Sequence, residues 1–160
     1  MLKILLVDDE PAYLMLTRHT LEEQGYQVTT AENGEEALEK LGSAAFDIVI
    51  SDVYMPIMDG LRFHRAVRSD PDREKLPFLF VSAYDDTYTL SAVSFSKYDA
   101  FLKKGRPAAE MNDWIHFLLT PPEKRGMPPF STLPIIGEHK APHATLRNPR
   151  AVRRGDGTTR

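Results

Sequence analysis

"FDIVISDVYMPIMDG", residues 46–60, changes character halfway along. Phe46, Ile48, Val49 and Ile50 form a nearly continuous apolar run, and then come Asp52, Met55-Pro56 and Asp59-Gly60. An apolar run of this length, closed by turn residues, is the pattern of a strand buried on both faces of a parallel sheet. It ends on a carboxylate. A lone Asp after a strand is most often a turn residue, so its meaning depends on what else ends beside it.

The pattern recurs. "KILLV" (3–7), "YQVTTA" (26–31), "PFLFVS" (77–82) and "DAFLK" (99–103) read as further strands, with helical patterns between them. Pro11 suits a first helical turn, and the segment it opens closes at Gly25, a C′ glycine. Asn33 is an N-cap with Glu36 three residues on, and Ala37, Leu38 and Leu41 form the apolar stripe behind it. Asp59 caps "GLRFHRAVRS", whose Phe63 and Val67 face inward. "DTYTLSAVSFS" (86–96) is a Thr- and Ser-rich fourth helix, and Ala108, Met111, Ile115 and Leu118 mark a fifth. Five such units predict an α/β doubly wound fold, (βα)5, with a five-stranded parallel sheet covered on both faces. Ligands of such folds bind at the carboxyl ends of the strands, where the strand order reverses.

The strand ends are informative. Strand one ends in Asp8-Asp9, strand three in Asp52, strand four in Ser82-Ala83 and strand five in Lys103-Lys104. Each has an ordinary local explanation as a turn or cap residue, but all of them point at one rim. Two carboxylates ~5 Å apart at an effective dielectric of ~20 repel by about 3 kcal/mol, and three make three such pairs. One lysine offsets only part of that charge. An all-oxygen cluster without His or Cys favours Mg2+ over zinc or copper, and such a rim supports phosphoryl transfer onto a carboxylate.

These residues resemble the receiver domain of two-component response regulators, over residues 2 to about 119. "ILLVDDE" is similar to the family's first-strand acidic pair, and "DVYMPIMDG" matches its Asp-x-x-Met-Pro-x-Met-Asp-Gly signature at every fixed position. "VSA" and "DAFLKKG" match the endings of its fourth and fifth strands. The resemblance implies a flavodoxin-like fold with Asp52 as phosphoacceptor. It implies Mg2+ held by Asp8, Asp9, Asp52 and the backbone carbonyl of Tyr54. Ser82, the Ala83 backbone and Lys104 would hold the phosphoryl group. Phosphorylation would move Ser82 toward that group and draw Phe101 inward, changing the surface of helix four, strand five and helix five. Lys104 is preferred to Lys103 because side chains alternate along a strand and Phe101 takes the family's switch aromatic position. One departure stands out: the family's Pro after the lysine is replaced by Gly105. Tyr54 and Tyr84, each two residues beyond a site residue, would flank the phosphoryl group.

The implied partners are a histidine kinase or phosphotransfer protein upstream and a protein target downstream. A Mg2+-dependent phosphatase with an aspartyl-phosphate intermediate is the enzymatic rival, but such enzymes have a second Asp two residues past the nucleophile, where this chain has Tyr54. The expectation is therefore a signalling domain, not an enzyme. The chain has no Cys, which excludes disulfides and thiol chemistry. No apolar stretch reaches the ~20 residues of a membrane span, so the expected location is cytoplasmic. Residues 1–120, the expected receiver, hold 12 basic and 20 acidic residues, a net −8. Residues 121–160 hold 8 basic and 3 acidic residues, a net +5, and 7 of the 12 prolines. That tail is expected to be extended or disordered. Its "RNPRAVRR" (147–154) raises a nucleic-acid-associated regulator as an alternative, disfavoured because the tail is too short and too Pro-rich for a DNA-binding fold. His19, His64 and His116 are read as surface or packing residues on helices, and Trp114 as packing the fifth helix or meeting a partner.

Overall fold

The computed structural model describes residues 1–85, 90, 91 and 96–129. The described residues lie in one compact unit. The expectation for the tail beyond residue 129 lies outside the described residues, as does most of the fourth helix pattern. Within that pattern Leu90 and Ser91 are helical, and Leu90 is buried.

Five strands form one parallel sheet: β1 (Lys3–Val7), β2 (Gln27–Ala31), β3 (Ile48–Ser51), β4 (Phe78–Ser82) and β5 (Asp99–Lys103). Their order is β2-β1-β3-β4-β5, the doubly wound arrangement whose switch point falls between β1 and β3. Register brings the strand ends level. Val7 stands beside both Ala31 and Ser51, and Ser82 beside Lys103. Four described helices accompany the sheet: α1 (Pro11–Glu23), α2 (Gly34–Ser43), α3 (Gly60–Ser69) and α4 (Ala108–Leu119), the last being the fifth pattern of the sequence.

Alternation sorts the strand residues between two apolar layers. Ile4, Leu6, Ile48, Ile50, Leu79, Val81, Ala100 and Leu102 join one cluster with Leu14 and Leu21 of α1 and Met111, Trp114, Ile115 and Leu118 of α4. Their strand neighbours, including Leu5, Val49, Phe78, Phe80 and Phe101, are buried as well. A strand hidden on both sides has no polar alternate positions, which is why β1, β3 and β4 read as unbroken apolar runs. Two stripe assignments from the sequence fail. Leu38 is half-exposed and the buried face of α2 is Gly34, Ala37 and Leu41; Ala108 is exposed at the first turn of α4. A 3.6-residue period places a residue on a face but does not say how far the neighbouring layer reaches.

The caps follow the sequence. Asn33 Oδ1 accepts from the Glu36 amide at 3.0 Å, and Asp59 Oδ1 from the Arg62 amide at 2.8 Å. Gly25 ends α1 at φ 89°, a left-handed position that glycine adopts without strain. After α4 the chain makes a short 3-10 turn, Pro122–Lys124. Arg125 then reaches back, donating from Nε to Thr120 O at 2.8 Å and from Nη2 to Leu118 O at 2.7 Å. A third bond runs from Nη1 to Lys97 O. Carbonyls left open at a helix end are thus satisfied by a side chain beyond it.

Candidate functional site

The sheet delivers its polar residues to one rim. Asp8 and Asp52 follow the ends of adjacent strands, and their main chains are pinned by bonds from Asp8 N to Ala31 O at 3.0 Å and from Asp52 N to Val7 O at 2.9 Å. Asp8, Asp9 and Asp52 each offer a carboxylate oxygen, all within 4.8 Å of one another. Asp8 and Asp52 are buried, while Asp9 is open to solvent. Lys104 enters from the far side, with Nζ 2.6 Å from Asp8 Oδ2 and 3.1 Å from Asp52 Oδ2. Lys103, the neighbouring lysine, is exposed and pairs with Asp85 at 2.9 Å.

A backbone amide donates to one oxygen of each buried carboxylate, and Lys104 Nζ donates to the second oxygen of Asp52 at 3.1 Å. Asp8 Oδ1 accepts from the Glu10 amide at 2.9 Å, and Asp52 Oδ1 from the Val53 amide at 2.7 Å. Asp8 Oδ2 is buried without an aligned hydrogen bond, although the Lys104 ammonium is close. A buried carboxylate oxygen in that condition is costly unless a cation completes it. Three carboxylates against one lysine leave the cluster at −2. The donor set is all oxygen, and it fits a hard divalent cation such as Mg2+.

Burial raises the pKa of Asp52, and the hydrogen bond and charge of Lys104 oppose that shift without cancelling it. For Lys104, burial works against the charged form, but Asp8 and Asp52 outweigh it and hold its pKa above the ordinary value. The lysine therefore stays charged beside a carboxylate that burial makes reluctant to ionise. Such an arrangement favours anything that brings positive charge to Asp52.

The remaining predicted residues take definite places. Ser82 is fully buried at the end of β4, and its Oγ accepts from the Tyr84 amide at 3.2 Å. Ala83 follows at the exposed surface. Tyr54 and Tyr84 meet edge to face, with ring centroids 5.3 Å apart, across the loops that carry Asp52 and Ser82. Phe101 is buried beside Phe80. Gly105 has φ 83°, and no cis peptide bond follows the lysine. His64 lies away from the rim, with Nε2 3.0 Å from Asp99 Oδ1 and its ring against Phe78 and Phe80. Trp114 is buried within the α4 side of the core.

Three features of the site escaped sequence reasoning. Tyr13 of α1 lies under Lys104, its ring centroid 4.5 Å from Nζ. The available signal was its position in the first turn after the acidic pair, since helical side chains lean back toward the N-terminus. Ile57 has φ 68°, and the Met58 amide bonds to Pro56 O at 2.7 Å across it. This is a γ-turn of the strained kind, with a β-branched residue in a left-handed position. Gly60 starts α3 against the backbone of Asp52, where no Cβ fits.

An acidic pocket and a lysine at the switch point of a flavodoxin-like sheet are the marks of a two-component signalling domain. The sequence matches the response regulator receiver domain model over residues 4–116. It is 38% identical over 118 residues to the two-component response regulator ARR2 of Arabidopsis thaliana, covering 72% of this chain and 17% of that protein. It is 36% identical over 86 residues to a probable chemotaxis protein CheY of Rhizobium etli, covering 53% of this chain and 67% of that one. Among solved structures, CheY4 of Vibrio cholerae superposes with a TM-score of 0.64 at 35% identity, over 68% of this chain and 91% of that one. TrrA of Thermotoga maritima, solved in complex with Mg2+ and BeF, gives 0.63 at 32%, over 74% and 99%. The chain belongs to the response regulator receiver domain family. It spans 17% of ARR2 and 35% of the transcriptional regulator PhoP of Bacillus subtilis, so the match to these relatives concerns their receiver portion.

Proposed function

We propose that Asp52 accepts a phosphoryl group from the phosphohistidine of a histidine kinase or phosphotransfer protein, and that the chain is a switch and not a metabolic enzyme. The convergence of Asp8, Asp9 and Asp52 on one point, bridged by Lys104, carries this reading. A carboxylate oxygen of Asp52 forms the new bond to phosphorus as the donor's phosphorus–nitrogen bond breaks, and the departing imidazole keeps that electron pair. The buried Val53 amide holds Asp52 Oδ1 in place, which leaves Oδ2 as the oxygen on the Lys104 side.

Asp8, Asp9, Asp52 and the Tyr54 carbonyl would hold Mg2+, which when bound neutralises charge on the transferring phosphoryl oxygens. Lys104 moves its ammonium from Asp52 to a phosphoryl oxygen. The Ser82 hydroxyl and the Ala83 amide donate to the others, so that the new anion is met by charge-assisted hydrogen bonds. Moving Ser82 changes its bond to the Tyr84 amide, and so ties the site to the 86–95 segment, β5 and α4, where the downstream protein would read the state. Among the described residues no helix is long and apolar enough to cross a membrane, and a cytoplasmic location suits a phosphohistidine donor.

Intact-mass measurement after incubation with acetyl phosphate tests the reading. The wild type gains one phosphoryl group with Mg2+ and none with EDTA, and Asp52→Asn gains none. Modification of the Asn variant to the same extent would exclude Asp52 as the acceptor.

A further inference from the structure

Lys104 is followed by the residue least able to restrain it. Gly105 sits at φ 83° with nothing within 4 Å of where a Cβ would stand. Beyond the strand the lysine backbone is held by its amide bond to Ser82 O at 2.8 Å. Its side chain has four rotatable bonds, and ordering them costs free energy of the order that a desolvated cation–π contact returns. On one side the ammonium meets Asp8 and Asp52. On the other it meets the ring of Tyr13, 4.5 Å from its centroid. A cavity of about 460 Å³ opens beside them between α1 and α4, lined by Tyr13, Lys104, Leu102 and Met111 among others. Without the ring, the lysine could swing into that space.

We infer that Tyr13 is the positioning residue for Lys104: its ring face holds the ammonium at the rim and supplies the restraint that the chain lacks at Gly105. This role rests on the function proposed above for Asp52 and Lys104. A ring face suits the task because its attraction for a cation is weakly directional. The ammonium can slide from Asp52 toward a phosphoryl oxygen without leaving the ring, whereas a hydrogen-bonding partner would have to be broken. Tyr13 also stands on the helix that follows the acidic pair, so Asp8 and the ring, on opposite sides of the ammonium, both belong to the β1–α1 junction.

Tyr13→Leu keeps an apolar group and removes the ring face; Tyr13→Phe keeps the face and removes the hydroxyl. Phosphorylation of Asp52 by acetyl phosphate in Mg2+ should slow about tenfold in Tyr13→Leu, equivalent to about 1.4 kcal/mol, and stay within about twofold of wild type in Tyr13→Phe. In a Lys104→Ala background, Tyr13→Leu should add no further loss. NMR of the protein without metal or donor gives a second readout: the Lys104 ε-methylene protons should be shifted upfield by the ring in wild type and Tyr13→Phe, and not in Tyr13→Leu. An unslowed Tyr13→Leu overturns the role, as do a Tyr13→Phe that slows equally, a loss that persists without Lys104, or an absent upfield shift. A wild type that takes no phosphoryl group overturns the function itself, and this role with it.

Discussion

Tyr54 and Tyr84 stand edge to face, ring centroids 5.3 Å apart, and join the loop after β3 to the loop after β4. Both rings are substantially exposed, at 42% and 60%, so burial alone does not hold them together. An edge-to-face pair contributes about 0.5–1.5 kcal/mol. A water that approached the aspartyl phosphate in line between the loops that this pair bridges would meet the two rings. Replacing both tyrosines with serine should therefore speed dephosphorylation about two- to tenfold, the same energy expressed as a rate. The decay of the phosphorylated species, followed by mass, checks this; unchanged decay would reduce the pair to surface decoration.

Asp52 is held ready at the expense of stability. Its pKa is raised, first by burial, with Lys104 pulling the other way. Stability linked to a raised carboxylate pKa is full below the unfolded value of about 3.9 and is lost as pH rises through the folded value. At pH 7 the metal-free protein carries that loss entirely. Asp52→Asn should unfold at a higher temperature than wild type in EDTA at pH 7, and its advantage should shrink near pH 3. An Asn variant less stable than wild type at pH 7 would contradict the assignment.

Asp99 has the opposite sign. Burial pushes its pKa up, but the His64 ring, the Ser96 amide and the Arg68 guanidinium together outweigh burial and hold it below the ordinary carboxylate value. Its contribution is therefore present above the unfolded value and lost as pH falls through the folded one. The side chain is 1% exposed and joins α3 to the start of β5 through Arg68 and His64. Removing one partner of a buried ion pair costs about 3–5 kcal/mol, so Asp99→Ala should lose about that much at pH 7 by urea denaturation. The gap to wild type should narrow in acid, the same direction as for Asp52 but from the other side of zero.

The strands and the rim were legible in the sequence because parallel strands buried on both faces leave unbroken apolar runs, each ending on a polar residue. Asp8, Asp52, Ser82 and Lys104 follow from counting along such runs. Leu38 and Ala108 were misplaced because helical period gives direction but not depth. Asp99 was read as the first residue of a strand, and nothing in "DAFLK" says that an arginine and a histidine from α3 will meet it. The contact of Tyr13 with Lys104 was missed for a related reason. It joins residues 91 positions apart, and only the closed sheet brings α1 over the end of β5.

Gly60 closes the signature "DVYMPIMDG" for a steric reason. A Cβ there would stand inside the Asp52 carbonyl oxygen, 3.0 Å from the Asp52 carbonyl carbon and 3.1 Å from Val53 Cα. These neighbours are backbone atoms and cannot rotate away. The Gly60 amide also bonds to Val53 O at 2.8 Å, so the start of α3 is fastened to the chain that presents Asp52. Helix propensity alone favours Ala over Gly by about 0.8–1 kcal/mol in a helix interior. Overpacking a tight site costs about 1–3 kcal/mol and occasionally more. The steric term wins, so Gly60→Ala should destabilise the protein by about 1–3 kcal/mol and slow phosphorylation, because relief requires shifting Asp52 itself. Gly42, in the last turn of α2, is the control: nothing lies within 4 Å of its Cβ position. Gly42→Ala should therefore raise stability by about 0.5–1 kcal/mol and leave the rate alone. Thermal melts and acetyl phosphate kinetics on the two variants side by side decide it, and equal effects at both glycines would reject the close approach at Asp52.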